Sequence, residues 1–545
     1  MSTRRAIATA AAVVMMGGVL SRVLGIVREQ VIADRFGATA TTSSFVAATT
    51  VPTMVYDLLI GGAISSALVP VFSEYVVAGR DLELRRIVGT VMSIAAVLLG
   101  VLAGLMVLFA GPVVEVLVPG LDPAIQRDTV TLTQIALPSV VFFGLAGVSS
   151  ALLNSRGVFS YPAFSVGIYN VGIIAAALLL ANYIGPVSLV LGVIAGALLQ
   201  LLVQLTGLRR RSTASQSGSW PIFSLDLRNP AVLRILKLYA PVALGLMVSQ
   251  IGVIIDRNLA SRTGDESLAV LRFATTLVQL PVGLIVVATT TAVLPSLSRH
   301  AAALQPVANG KKLPAAASGP SSSVAYKDTL IIGMRMVLLA MLPAMVALFI
   351  LRVPLITLFF QRGAFDSKAT ELTSIAFSYY APQLPFVAID LLLISAFYAR
   401  KNVIIPALVG VLGVGVYLAV GVTLMGPMGM AGLALANTMQ HTVHATVLFV
   451  LLWRAIGGLR GYGLGTTVGK GVIATTAMAA ALYLANPFLQ DLGASGSAWA
   501  LGSYLLMAGT LAIAVYAIVL VLLRVEDLDF IRVQLRRWLR MLQLG

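Results

Sequence analysis

Long apolar runs recur from one end of the chain to the other, separated by short stretches where arginine, lysine, glycine and proline collect. A run of about twenty residues rises roughly 30 Å as an α-helix, enough to cross the hydrocarbon core of a bilayer. The pattern predicts about fourteen such spans. Six lie near 7–33, 41–72, 87–111, 130–153, 161–182 and 186–207, and six more near 233–257, 267–297, 329–351, 371–398, 403–425 and 429–453. Two follow near 468–486 and 498–523. The two-residue alternation of a membrane barrel is absent. The expected fold class is therefore an all-α polytopic membrane protein. The first run is too long for a cleavable signal peptide, lacks an A-x-A stop and contains arginines, so it reads as a retained span.

The runs also repeat. Ala67-Leu68-Val69-Pro70-Val71-Phe72-Ser73 ends the second, and Ala292-Val293-Leu294-Pro295-Ser296-Leu297-Ser298 ends the eighth. Each carries an earlier proline, Pro52 and Pro281. Six spans followed by six in the same orientation form a parallel repeat of the kind transporters use. Chance likeness of apolar helices is the plainer alternative. The repeat predicts two six-helix lobes around a central cavity, with two C-terminal helices appended. The expected boundaries are a first lobe over 1–211, a polar cytoplasmic linker over 212–232, a second lobe over 233–454, the last two spans within 455–523, and a basic tail over 524–545. In the tail Leu528, Ile531, Leu535, Leu539 and Leu542 recur at helical spacing among arginines, the pattern of an amphipathic helix on a membrane surface. Residues 305–323, rich in Pro, Ala, Gly and Ser, read as a flexible cytoplasmic loop.

Composition agrees: 59% of residues are hydrophobic and 11% charged, a balance foreign to soluble domains. With no cysteine the chain has no disulfide, thiolate nucleophile or cysteine–metal site. The net charge of +16 would suggest nucleic acid in a soluble protein. Here the cations gather in one set of loops: Arg80, Arg85 and Arg86; Arg156; Arg209, Arg210 and Arg211; Arg299, Lys311 and Lys312; Arg400 and Lys401; Arg454 and Arg460. Both termini share that bias, while the opposite loops hold Glu115, Asp122, Asp128, Asp265, Glu266 and Asp491. The positive-inside rule then places both termini in the cytoplasm, and the basic loops suit anionic lipid headgroups; no nucleic-acid partner is called for. There is no phosphate-cradling Walker lysine loop and no dinucleotide glycine motif, so ATP is not expected to drive this chain. The short outer loops leave no room for the large domain of a membrane-embedded glycosyltransferase or ligase, and an enzyme is not expected.

Polar groups inside the runs are few, so each can be weighed. Arg22 and Arg28 interrupt the first. A guanidinium at bilayer depth costs roughly 3 kcal/mol on insertion scales, and it normally faces a polar cavity or a partner. The two lie about 120° apart around a helix, so they can line one broad wall of an anionic substrate path. Snorkelling to a headgroup is the alternative, stronger for Arg28 near the run's far end. Asp57, in the second run, is expected to face the cavity and pair with a first-span arginine. Arg272 enters the eighth run. Glu29, Asp256, Arg257 and Asp390 are candidates for ion binding or gating, with Asp256 and Arg257 equally readable as an interfacial ion pair. His441 and His444, three residues apart and so on one face, suit either proton relay or interhelical hydrogen bonds. No cysteine, carboxylate or third histidine lies near them in sequence, so no metal site is expected.

Several motifs resemble, in order and over nearly the whole chain, the lipid II flippases of the MurJ (MviN) family, within the multidrug/oligosaccharidyl-lipid/polysaccharide exporter superfamily. They are Ser21-Arg22-Val23-Leu24-Gly25 with Arg28; Val51-Pro52 to Pro70-Val71-Phe72-Ser73-Glu74-Tyr75; and Leu153-Asn154-Ser155-Arg156 followed by Phe159, Pro162-Ala163-Phe164 and Asn170. Further on come Leu280-Pro281-Val282-Gly283, Leu294-Pro295-Ser296-Leu297-Ser298, Phe359-Phe360-Gln361-Arg362-Gly363-Ala364-Phe365 and Ala396-Phe397-Tyr398-Ala399-Arg400. The resemblance implies fourteen helices in two lobes with a cationic cavity. It also implies transport, not catalysis: movement of undecaprenyl-diphosphate-linked disaccharide-pentapeptide to the outer leaflet of the bacterial cytoplasmic membrane by alternating access. Arg22 and Arg28 match family arginines thought to meet the diphosphate, and Asp57 and Arg272 join them as candidate substrate-binding residues. No cofactor is implied beyond a coupling ion or the membrane potential, and the partners are the lipid-linked substrate, membrane lipids and cell-wall synthesis enzymes. The chain departs from some members by having Tyr56 and Gly61 where they carry an arginine and a glutamate, and Thr275 and Thr276 where they carry a charge. Arg272, four residues before Thr276 and on the same helical face, is placed to substitute. The eleventh run has no Asn or Asp, which argues against a sodium site there. The rival functions are a flippase for another polyprenyl-diphosphate glycan, a cation-coupled drug exporter and a non-transporting scaffold.

Overall fold

A computed structural model describes residues 3–58, 67–212, 224, 226, 228–303, 320–459, 461–493 and 497–525. Gly61, most of the 212–232 linker, most of the 305–323 loop, Arg460 and the tail beyond 525 lie outside the described residues. The described chain is helical throughout, with no strand among the described residues. It divides into two compact units, Met1–Phe273 with Phe360–Ala369, and Ala274–Phe359 with Thr370–Gly545.

The first unit contains α1 (Thr3–Phe36), α2 (Ala40–Asp57), α3 (Val69–Val77), α4 (Asp81–Leu108), α5 (Ala110–Leu117), α6 (Pro123–Ala136), α7 (Ser139–Ser155), α8 (Ser160–Ile184), α9 (Val187–Ser212), α10 (Pro230–Ser261) and the start of α11 (Ser267–Pro281). The second holds α12 (Val287–Ala303), α13 (Pro320–Ile350), most of α14 (Arg352–Phe360), most of α15 (Ser367–Tyr380), α16 (Leu384–Ala399), α17 (Ile404–Met428), α18 (Met430–Ala455), α19 (Leu464–Gly493) and α20 (Ala498–Leu522). The first unit thus runs on through α10, beyond the expected lobe end at 211. Local sequence explains several ends. Asp122 and Asn229 cap α6 and α10 by accepting from the amides of Ala124 and Ala231, each with proline at the first helical position. Pro281 lacks the amide that would continue the ladder, and a π-turn, Val282–Val286, follows it before α12.

A repeat is visible in the backbone of α6 to α8 and α15 to α17, elements other than those that carry the sequence motif. Gly185, after α8, and Gly429, after α17, both have φ 56° and ψ −136°. Gly157 and Lys401, at the preceding corners, have φ 71° and 60°. Each pair is 244 residues apart, and α6 and α8 recur as α15 and α17 at that same offset.

Ten stretches, counted among the described residues, are long and apolar enough to cross a membrane. Of the fourteen expected spans, those left out of that count correspond to α1, α2, α10 and α18. These four are helical and carry the charged or histidine side chains singled out above: Arg22, Arg28 and Glu29; Asp57; Asp256 and Arg257; His441 and His444.

Small residues let the helices of the first unit approach closely. A Cβ on Gly172 of α8 would lie 2.5 Å from the Gly196 Cα of α9, and one on Gly17 of α1 would lie 2.7 Å from the Ala163 Cβ of α8. α1, α8 and α9 therefore form one block. The Gln361–Ala364 corner docks on the end of α1: the Ala364 amide donates to the Asp34 carbonyl at 2.8 Å. Gly363, at φ 53°, sits where a Cβ would be 2.2 Å from that carbonyl oxygen. In the second unit Tyr326 of α13 is fully buried and donates to the Ala396 carbonyl of α16 at 3.0 Å. Around it pack Leu297, Leu330, Leu392, Phe397 and Leu448.

Candidate functional site

Glu29 is 1% exposed in the middle of the apolar first unit. A carboxylate so placed needs charged or hydrogen-bonding partners. It has two guanidiniums. From its own helix, Arg28 donates to Oε1 through Nε at 3.0 Å and Nη2 at 2.6 Å. From α11, Arg272 donates through Nε to Oε2 at 2.9 Å and through Nη2 to Oε1 at 2.7 Å. The Arg272 pair is the two-pronged fork geometry that guanidinium and carboxylate favour.

Neighbouring helices fix both arginines. Arg28 Nη1 donates to Asn170 Oδ1 on α8 at 2.9 Å, and Asn170 Nδ2 in turn reaches the Ser21 carbonyl at 3.2 Å. The close Gly172–Gly196 contact of α8 with α9 supports this strut from behind. Arg272 lies over the Phe45 ring of α2, 5.3 Å from its centroid, a favourable cation–π placement. Ser43 accepts from the Ala269 amide at 3.2 Å and ties α11 to α2 one turn earlier. The Arg28 and Arg272 side chains keep 22% and 19% of their surface exposed, against 2% for Glu29. The cluster carries two cations and one anion. Its net charge of about +1 and its partly open arginines suit phosphate oxygens.

The structure brings together Arg28, Arg272 and Glu29 from the sequence reading. Arg22 is half-buried on α1, about 9 Å of helical rise before Arg28, and makes no ion pair among the described residues. Asp57 is exposed at the end of α2 and, among the described residues, pairs with no arginine; the acid that meets the first-span arginine is Glu29. Asp256 and Arg257 form an ion pair at 3.0 Å, each about a quarter exposed. Beside it Asn258 donates to the Val116 carbonyl at 2.7 Å and Ser261 accepts from the Gly120 amide at 3.1 Å. Asp390 and His444 meet in the second unit at 2.5 Å. Asn170 stood out in the sequence only as part of a family motif, and Phe45, a phenylalanine in an apolar helix, did not stand out at all.

A helical chain with ten described stretches able to span a bilayer, and with a charged cluster shared by α1 and α11, has the features of a polytopic membrane transporter. The family model described as lipid II flippase MurJ matches residues 32–507, and the chain belongs to that family. It is 31% identical to the lipid II flippase MurJ of Burkholderia cenocepacia over 436 residues, covering 79% of this chain and 81% of that protein. It is 30% identical to the probable lipid II flippase MurJ of Haemophilus influenzae over 447 residues, covering 79% and 83%. In fold it is similar to a solved lipid II flippase MurJ in an inward closed conformation, with TM-score 0.77 and 23% identity over 94% of this chain and 98% of that one. An inward-facing multidrug resistance MATE family transporter of the MOP superfamily follows at TM-score 0.62 and 13% identity, covering 83% and 99%.

Proposed function

We propose that this chain is a lipid II flippase that carries undecaprenyl-diphosphate-linked disaccharide-pentapeptide from the inner to the outer leaflet of the bacterial cytoplasmic membrane. The observation that carries the reading is the Arg28–Glu29–Arg272 cluster. Two guanidiniums drawn from positions 28 and 272 share one buried carboxylate. A carboxylate is a good stand-in for one phosphate, so the cluster is a preformed anion clamp held closed by its own acid. An arriving diphosphate offers more acceptor oxygens and more negative charge than Glu29, and competes for the same N–H forks. Asn170 holds Arg28 in register while the exchange takes place. Arg22, further along α1, and Asp57 are secondary substrate contacts in this reading.

Transport by alternating access follows from the two-unit repeat. The chemistry calls for no cofactor, since no bond of the substrate is broken. The product on the outer leaflet is the material that cell-wall synthesis enzymes consume. A cationic drug is a poor fit to a cluster of net positive charge, which sets this chain apart from the drug exporters that share its fold.

Rescue of cells depleted of their own lipid II flippase tests the reading directly. The wild-type chain should restore growth. Arg28→Ala and Arg272→Ala should fail at normal membrane abundance, each losing charge-assisted contacts worth roughly 1.5–3 kcal/mol, or about ten- to a hundredfold in apparent affinity. Arg272→Lys should rescue in part, keeping charge without the fork. Full growth with Arg272→Ala would remove the clamp from the mechanism.

A further inference from the structure

The second unit contains a buried acid–imidazole pair that the clamp does not use. Asp390 on α16 and His444 on α18 approach to 2.5 Å, Oδ1 to Nδ1, with side chains 9% and 11% exposed. The far side of the ring lies against α17. Two glycines leave space for it: a Cβ on Gly413 would lie 3.6 Å from His444 Cδ2, and one on Gly410 would lie 3.9 Å from Nε2. Nδ1 and the carboxyl oxygen face one another, and two lone pairs at 2.5 Å would repel. One proton must lie between them, carried by either atom.

The surroundings isolate this proton. His441, one turn earlier on α18, is the other titratable group facing the pair. α17 contributes no charged residue or histidine. Arg335 of α13 donates to the Tyr462 carbonyl, and Arg299 of α12 donates to Ser296 Oγ. No three His, Asp or Glu residues cluster as metal donors among the described residues. The repeat also shows that packing does not demand the pair. At the offset of 244 residues, His444 corresponds to Gln200 and Asp390 to Ala146, so the first unit builds the same helix contacts without a titratable group.

We propose that Asp390 and His444 form a proton-binding site in the second unit that is loaded and emptied during the transport cycle, an inference that rests on the transporter reading above. The 2.5 Å approach fits the loaded pair. When the proton leaves, a nearly buried carboxylate faces an imidazole lone pair and the pair becomes a net anion, an arrangement costly enough to drive α16 and α18 apart until a proton returns. Only an O–H or N–H bond is made or broken; the proton enters from water on one side of the membrane and leaves to water on the other.

The chain has three histidines, which makes the test direct. In the full-length protein labelled with 15N-histidine and placed in lipid nanodiscs, His300→Asn and His441→Asn assign the ring signals. His444 should show a titration between about pH 5 and 9, and Asp390→Asn should move its midpoint by about one pH unit or more. In proteoliposomes, flux of fluorescent lipid II through the wild type should change severalfold when a pH difference is imposed. His444→Gln and Asp390→Asn should flip lipid II without that response. A His444 signal that does not titrate in the wild type, or an unaltered response to the pH difference in both variants, overturns the proposal. Normal titration of His444, with its midpoint moved by Asp390→Asn, in a protein that moves no lipid II would leave the proton site standing and sink the substrate assignment instead.

Discussion

Glu29 decides what the two arginines can do. With it, Arg28 and Arg272 are held about one carboxylate apart; without it, two cations face each other in a nearly buried place. Removing one partner of a buried ion pair typically costs about 3–5 kcal/mol, because the charge left behind is uncompensated. Glu29→Gln should therefore lower the thermal midpoint of the detergent-solubilised protein by several degrees. Added inorganic pyrophosphate should recover part of that loss, and more of it than the same addition gives the wild type, since the anion takes the vacant place. A variant that melts like the wild type, with or without pyrophosphate, would contradict the clamp. The sequence displayed Arg28 and Arg272 plainly, because a cation in an apolar run is conspicuous. It did not display their meeting, which spans 243 residues of chain and depends on how α11 packs against α2. Asp57 misled for the same reason: an acid in a span suggests a salt bridge, yet Glu29, directly beside Arg28, reaches both arginines first.

At the scale of helices, the contact of α8 with α9 is what fixes Asn170 behind Arg28. The Gly172 Cβ position falls 2.5 Å from backbone, which cannot yield as a flexible side chain can. Gly172→Ala should push the helices apart at a cost of about 1–3 kcal/mol. It should reduce growth rescue together with thermal stability, whereas Gly104→Ala, on α4 with open space around it, should leave both unchanged. Equal behaviour of the two variants would show that the close approach is not what supports the strut. Helices were the most legible feature of the sequence, since a run of twenty apolar residues has few other stable forms in a bilayer. Their interruptions were less so. The eighth run reads as one span from 267 to 297, but Pro281 breaks its ladder into α11, a π-turn and α12.

At the scale of the whole chain, orientation follows from charge and from the repeat together. The register of 244 residues shared by α6 to α8 and α15 to α17 predicts that the corresponding spans cross the membrane in the same direction, with an even number of crossings in each half. The N-terminus, the segment between the halves and the C-terminus are then predicted to share one side. The loops assigned to that side hold the arginine clusters, and those assigned to the other hold acids such as Glu115, Asp122, Asp128 and Asp265. Lysine and arginine near span ends are retained in the cytoplasm, so the clustered side is predicted to be the inner one. The absence of cysteine allows single cysteines to be introduced without background. Ser215→Cys and Ala316→Cys should resist a membrane-impermeant maleimide in intact cells and react after lysis. Asp128→Cys, at an exposed position on α6, should react in intact cells. The alternating bias leaves no intermediate arrangement. If Ser215→Cys labels from outside while Asp128→Cys does not, the entire chain is inverted. Labelling of both from outside would mean an even number of crossings between them, where the expected spans give three, and would end the six-plus-six account of the repeat.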